Sequence, residues 1–508
     1  MKRQLHLLHR WLGIGLCLFF AAWFCSGFFM MYVEYPQLTR PERLAAAAEL
    51  DFSAARFTPR GATRALVAGD FAERGTPTRN VPLALPDPAA PVQPDGVRLA
   101  QILGRPAYVF TSGPAQPAVV FAHNGEKLGR ATAEQAAAAA RAFRPGTQPR
   151  FLGTIQSDQW AVSSALNAHR PLHHFAYDDP AGTEVYVSSS TAEVVRDSTR
   201  RERVLNYFGA VTHYLYPHVL RQYPDAWAWG VDIVAATGCV LALSGLWVGV
   251  LRARRRVPET RTIQQRLVRW HYVTGAVFGV VTLTWVFSGW MSMNPGQLNP
   301  PRAPTATETA VLAGTRFDAV AFTALPVLPA GTVEAALHHY DGQPLYRATR
   351  RDGTTTLVAA RADAPLRPPT VAALLARAPE LRPEARVVES KVLAEYDDYY
   401  YSRHPETGTR PLPVLRVRFA DAEATWFHLD IATGQVLDRS TRTNRVFRWL
   451  YNGLHSFDWW WLWSRRPLWD VVVIAFCAGG LSLSVLGVVV GVRRLRAEFS
   501  RPQSSSSP

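Results

Sequence analysis

Four long apolar stretches constrain this chain more than any other feature. Trp11–Val33, Ile233–Leu251, Trp270–Met293 and Val471–Val492 contain no Asp, Glu, Lys or Arg. A helix needs about 20 apolar residues to cross a bilayer, so each stretch reads as a membrane span. The first makes a poor signal peptide, because its apolar core is too long and no small-x-small site ends it cleanly. Trp23 and Phe24, just before Cys25, also fit a lipoprotein anchor badly. A hydrophobic content of 48% against 19% charged residues excludes a disordered chain. Very apolar blocks alternate with very polar ones, which excludes a single soluble globule.

Arginine placement gives the orientation. Lys2, Arg3 and Arg10 precede the first span. Arg252, Arg254, Arg255, Arg256, Arg261, Arg266 and Arg269 crowd the short connector between the second and third, and Arg493, Arg494 and Arg496 follow the fourth. Both termini and the connector are therefore expected in the cytoplasm and the two long loops outside, in the periplasm of a Gram-negative cell. The chain divides into 1–33 (N-terminus and first span), 34–230 (first outer region with an interfacial helix), 231–251 (second span), 252–269 (connector), 270–293 (third span), 294–469 (second outer region with an interfacial helix), 470–492 (fourth span) and 493–508 (tail). Within the tail, Arg501–Pro508 is low in complexity and reads as disordered.

The formal charge of +15 comes from arginine, since lysine occurs only at 2, 127 and 391. No basic recognition motif accompanies it, so nucleic acid is not an expected partner. The cysteines, at 17, 25, 239 and 477, all lie within spans. The outer loops can form neither disulfides nor thiolate metal sites, and each is expected to fold on a core of its own.

The chain repeats itself. A shift of 262 matches His9 with His271, Gly13 with Gly275, Trp23 with Trp285, Ser26 with Ser288 and Gly27 with Gly289. A shift of 242 matches Asp179 with Asp421, Thr183 with Thr425, Thr191 with Thr433, Arg203 with Arg445, His213 with His455, Trp227 with Trp469, Gly238 with Gly480 and Gly249 with Gly491. Each half thus runs span, outer domain, span. Both halves start inside, which implies a parallel duplication about an axis along the membrane normal, where matched residues can meet.

In the first loop, 104–128 alternates around a Gly/Pro-rich break and reads as a hairpin, followed by an Ala-rich helix at 133–143. The second loop repeats the opening at 342–366, with Gly104, Pro106 and Tyr108 matching Gly342, Pro344 and Tyr346. Segments 178–195 and 420–437 read as further hairpins. The outer domains are therefore expected to be α+β.

HRWLG opening the first span, the Ser-Gly pair near its outer end, the GRPAY module, RPLH at 170–173 and WLYNGLHSF at 449–457, in this order and duplicated, resemble the PepSY-associated transmembrane helix family over nearly the whole chain. The resemblance implies four transmembrane helices with PepSY-like external domains in a bacterial inner membrane. It is similar in particular to haem-containing reductases of ferric siderophores, which implies haem b, one or two per chain, a cytoplasmic electron donor and a periplasmic ferric siderophore.

Among the 14 histidines, His9 pairs with His271 near the inner ends of spans one and three, and His213 with His455 just outside spans two and four. A polar ionisable group at membrane depth is a functional candidate by default, and neutral imidazole is a good axial ligand for haem iron. The two pairs are the candidate ligands of two haems, with Gly13 and Gly275 letting a porphyrin edge approach the inner one. The bland alternative is four interfacial side chains kept for structure. His6, His169, His173 and His174 lack matched twins and are poorer candidates.

Trp23 and Trp285 read as mid-membrane residues, either packing groups or a path for electrons. Tyr399, Tyr400 and Tyr401, with Trp459, Trp460, Trp461 and Trp463, form either an interfacial girdle or the wall of a site for a flat ligand. Asp232 and Asp470 mark the outer entry to spans two and four and read as helix-start or interfacial carboxylates.

No Walker A loop, dinucleotide fingerprint or nucleophile elbow occurs in a suitable context, so a reductase of this kind needs a separate donor. The expectation is an inner-membrane di-haem oxidoreductase passing electrons from a cytoplasmic donor to a periplasmic acceptor. The alternative is a membrane-anchored binding or regulatory module, for which matched histidines have no use.

Overall fold

The structure is a computed structural model that describes residues 2–68, 94–253, 262–361, 363–405 and 409–499. Arg254, Arg255, Arg256 and Arg261 of the connector and the tail 501–508 lie outside the described residues.

Four helices are long and apolar enough to cross a membrane: Lys2–Met30, Pro224–Ala253, Ile263–Met291 and Leu468–Phe499. Each begins several residues before the apolar stretch read from the sequence, because helical backbone continues through the polar flanks. They close a ring in which the first helix contacts the fourth and second, and the third contacts the same two. The first and third helices therefore face each other across the ring, as do the second and fourth. Small residues let the helices approach. A β-carbon at Gly480 would stand 2.3 Å from the Phe24 ring, and one at Gly479 2.3 Å from Phe278.

The first outer region holds β1 (Gly96–Ile102), β2 (Arg105–Thr111), β3 (Ala118–Phe121), β4 (Pro149–Ile155), β5 (Leu172–Tyr177), β6 (Glu184–Ser188) and β7 (Val194–Ser198). The second holds β8 (Thr332–Tyr340), β9 (Gln343–Arg350), β10 (Thr355–Ala359), β11 (Val387–Leu393), β12 (Val414–Phe419), β13 (Trp426–Asp430) and β14 (Val436–Ser440). β4 to β7 and β11 to β14 are four-stranded antiparallel sheets in chain order. The helix Ala133–Phe143 forms where expected, started by a capping box between Thr132 and Gln135.

The turns explain the GRPAY module. Leu103-Gly104 and Asp341-Gly342 take positive φ at both positions, 52° and 74° in the first, 49° and 74° in the second. Such two-residue turns match the twist of a hairpin. They join β1 to β2 and β8 to β9, one strand earlier than the hairpin read from the sequence.

The third sheet corrects the expectation of separate cores. Its order is β10-β9-β8-β1-β2-β3, so strands of the two loops form one six-stranded sheet. The join is Arg98 opposite Ala336 and Leu99 opposite Ala335. Arg98 reinforces it with ion pairs to Glu193 at 2.7 Å and, across the join, Glu334 at 3.5 Å. Leu99, Tyr108 and Val120 share one core with Ala335, Leu337 and Tyr346. β1 buries residues on both faces, Val97 and Leu99 on one and Ala100 and Ile102 on the other. A strand of that kind needs neighbours on both sides, and the other loop supplies one. Other cores stay within one loop, around Phe175 and Val185 or Val109 and Phe121 in the first and Leu415 and Phe427 in the second.

Candidate cofactor-binding site

Each four-stranded sheet hands the chain back to the bundle through a short helix. Arg200–Phe208 follows β7 and leads into Ala210–His213; Arg442–Arg448 follows β14 and leads into a π-helical turn at Trp449–Gly453. Both begin at a capping threonine, Thr199 or Thr441. The matched arginines tie these helices to their sheets in the same way. Arg203 donates to the carbonyls of Ser198 and Gly182, and Arg445 to those of Ser440 and Ala424. His213 and His455 come next. Two residues further on, Leu215 and Phe457 take left-handed φ of 50° and 51° and turn the chain towards the next membrane helix. Trp227 and Trp469 hold these turns, their indole N–H groups donating to the carbonyls of Leu215 (2.8 Å) and Ser456 (2.9 Å).

The matched histidines meet in two places. The His9 and His271 ring centres are 6.3 Å apart, and those of His213 and His455 6.0 Å. Metal–imidazole bonds of about 2 Å on opposite sides of one ion, plus about 1 Å from each nitrogen to its ring centre, separate two ring centres by about 6 Å. Both pairs have the spacing of imidazoles that share a metal.

Their hydrogen bonds choose the tautomer. His9 Nδ1 faces the Leu241 carbonyl at 3.3 Å and His455 Nδ1 the Trp285 carbonyl at 3.2 Å. A carbonyl only accepts, so the proton sits on Nδ1. His213 Nδ1 lies 3.1 Å from Ser26 Oγ, whose own proton goes to the Ala22 carbonyl at 2.6 Å. Ser288 stands at 3.1 Å from His455 Nδ1 in the same way. In all three the Nε2 lone pair is left for a ligand. His271 Nδ1 is buried without a hydrogen bond of ordinary geometry, and Leu486 stands where the Ser244 hydroxyl flanks His9 at 3.4 Å in the first half.

Glycines cradle the four rings. A β-carbon would meet His9 Cε1 at 2.7 Å from Gly245, His271 Cε1 at 3.5 Å from Gly487, His455 Cε1 at 3.3 Å from Gly289 and His213 Cε1 at 3.7 Å from Gly27. At Gly13 and Gly275 a β-carbon meets only ordinary contacts of 3.6 Å or more, so these two glycines leave room beside the helices without pressing on a histidine ring. Gly245 and Gly487 were missed in the sequence although they match at the shift of 242.

The outer pair lines a cavity of about 470 Å³. Phe20, Phe24, Val286 and Cys477 wall its apolar part, and Arg403 and Arg466 also line it. Among the described residues no three His, Cys, Asp or Glu gather into a metal cage. Two imidazoles per site suit a metal whose equatorial positions are already filled, as in a porphyrin, and the residues present fit haem.

Trp23 and Trp285 both line this cavity. Trp23 donates to the His213 carbonyl at 2.9 Å, and Trp285 lines the same cavity with its indole N–H buried and unpartnered. Asp232 lies well inside its helix, accepting from Trp290 at 3.1 Å, so it is no helix start; Asp470 is in the first turn of the fourth membrane helix. The two aromatic clusters come together. Tyr401 packs 6.3 Å from Trp463, and Trp463 lines the cavity. Tyr400 is instead buried against His428 at 4.6 Å.

Tyr401 also donates to Asp458 at 2.8 Å, and Arg403 binds the same carboxylate. Burial opposes the Arg403 charge, but Asp458 outweighs it and holds the guanidinium pKa above its usual value. The unmatched histidines have structural partners. His173 bonds the Ala131 carbonyl at 2.8 Å, His174 bonds Glu184 at 3.0 Å, His169 bonds Ser188 at 3.0 Å, and exposed His6 bonds the Lys2 carbonyl at 2.8 Å.

Compared with known families, residues 6–375 match the model described as PepSY-associated TM region. No curated protein matches the chain.

Proposed function

The chain belongs to the PepSY-associated TM region family, and from that premise we propose that it is a di-haem oxidoreductase of a bacterial inner membrane. It passes electrons from a cytoplasmic donor to a periplasmic acceptor. The observation that carries this reading is the meeting of two matched histidine pairs, at 6.3 and 6.0 Å between ring centres, with three Nε2 lone pairs directed free by bonds at Nδ1.

His9 with His271 would hold one haem b, and His213 with His455 a second. Bound there, haem supplies reversible one-electron chemistry. The chain's own part is to hold the imidazoles in one tautomer, to keep glycine against each ring and to line the outer pair's cavity with aromatic side chains. From His9 to Ser26, which touches His213, the first helix rises about 26 Å at 1.5 Å per residue. One pair towards each end of the bundle therefore suits transfer across most of the hydrocarbon core.

The acceptor we infer is a ferric siderophore, by resemblance to the family's reductases. Reduction of such a substrate to the ferrous state releases iron, because hard oxygen ligands hold the softer ferrous ion less well.

The test is an absorption spectrum of the purified, detergent-solubilised protein, oxidised and then reduced, with a pyridine haemochrome count. Two six-coordinate b-type haems per chain are expected. His455→Ala should lower the count to one and abolish reduction of a ferric siderophore. A colourless wild-type protein made with adequate haem supply would overturn the reading in favour of a binding module. A His455→Ala protein that keeps both haems would overturn the ligand assignment.

A further inference from the structure

We propose that Arg403 and Arg466 form a carboxylate clamp at the outer cavity, on one side of the His213/His455 pair. The inference rests on the haem proposal only for one of the two sources its carboxylate could have.

Both arginines line the cavity that holds the outer histidines. Each is fixed from behind by a carboxylate. Arg403 engages Asp458 through Nε and Nη2, and its Nη2 also reaches Ser456. Asp458 is only 2% exposed and is steadied by the Tyr401 hydroxyl at 2.8 Å. Arg466 Nε pairs with Asp470 at 2.5 Å, its guanidinium lies 4.7 Å from the Trp469 ring centre, and Asp470 also accepts from Tyr32 at 3.1 Å. Among the described residues, Arg403 Nη1 and both terminal nitrogens of Arg466 have no hydrogen-bond partner. A guanidinium offers five N–H donors in a planar fork matched to carboxylate, so each fork retains donors beyond its fixed side. The other charged groups lining the cavity, Glu34 and His404, engage each other at 2.5 Å.

The arrangement is one-sided. At the shift of 242, Ala161 stands for Arg403, Pro224 for Arg466 and Tyr216 for Asp458. The cavity thus joins an apolar wall to cationic donors contributed by one half only, which suits an apolar or flat body with acid groups along one edge. That chemistry has two sources: the paired propionates of a haem, or a free small carboxylate.

The test uses the full-length protein in detergent, prepared without haem. Uptake of haem b is compared with uptake of its dimethyl ester, and binding of iron-free citrate is measured by calorimetry. Three proteins are compared: wild type, Arg466→Met, and the double variant Arg403→Met/Asp458→Asn. The double variant removes the buried carboxylate together with its partner, and Arg466 is half-exposed, so both should fold. Charge-assisted hydrogen bonds are worth about tenfold or more in affinity each.

If the source is the cofactor edge, wild type prefers the diacid by about tenfold or more, and each variant reduces that preference. If the source is a free carboxylate, diacid and ester bind alike, while citrate binding falls about tenfold in each variant. Should neither ligand distinguish wild type from the variants, the clamp is overturned. Failure of wild type to take up any haem would sink the di-haem reading alone, leaving the citrate comparison to decide the clamp.

Discussion

A β-carbon at Gly245 would stand 2.7 Å from His9 Cε1, whereas one at Gly27 would stand at an ordinary 3.7 Å from His213. Gly245→Ala should therefore push His9 off its position and, on the di-haem proposal, lower the haemochrome count from two to one. Gly27→Ala should leave both. A second residue carries a pH signature. Burial, with Glu42 and Glu202 nearby, pushes the Asp197 carboxyl up to about 7. Its unfolded value is about 3.9, so the folded state binds the proton more tightly and stability falls as pH rises from about 4 to about 7. Asp197→Asn removes that loss. Its melting temperature should exceed wild type at pH 8 and equal it at pH 4. At this scale the histidine pairs were legible because each histidine has a matched twin in the sequence. Gly245 and Gly487 carried the same mark, but a glycine's role becomes visible only when the ring it faces is known. Arg403 and Asp458 have no matched twins and left no trace.

Among the elements, the helix Ala133–Phe143 and the hairpins within the four-stranded sheets could be read from the sequence, because alternation and capping residues are local signals. β1 and β8 could not. Both are buried on two faces, Val97 with Ala100 in one and Ala335 with Leu337 and His338 in the other, so the alternation that marks a half-buried strand is blurred. The turns that follow the outer histidines were equally hidden, since a left-handed Leu215 or Phe457 has no composition signal. They depend on indole hydrogen bonds from the membrane helices. Trp469→Phe keeps an aromatic ring, though a smaller one, and loses the bond to the Ser456 carbonyl, worth about 1 kcal/mol. On the di-haem proposal the variant should lose the haem held by His213 and His455 faster on gel filtration than wild type while holding the other. Equal retention would mean that packing alone fixes the turn.

On the scale of the whole molecule, the six-stranded sheet makes the two outer regions one folding unit. Ala335 is fully buried opposite Leu99 at the join. Ala335→Asp would place an unpaired carboxylate in the shared core, and hydrogen exchange should show β2 and β9 losing protection together although they come from different loops. Loss confined to β9 would mean that the loops open independently. The join also bears on how the polypeptide could be divided. Cut in the connector between the second and third membrane helices, the chain would yield two fragments, each with a three-stranded sheet ending in an open edge, β1 in one and β8 in the other. Each edge is shaped for the other fragment, so the two pieces made together are suited to reassemble, while either made alone would carry an adhesive strand with no native mate.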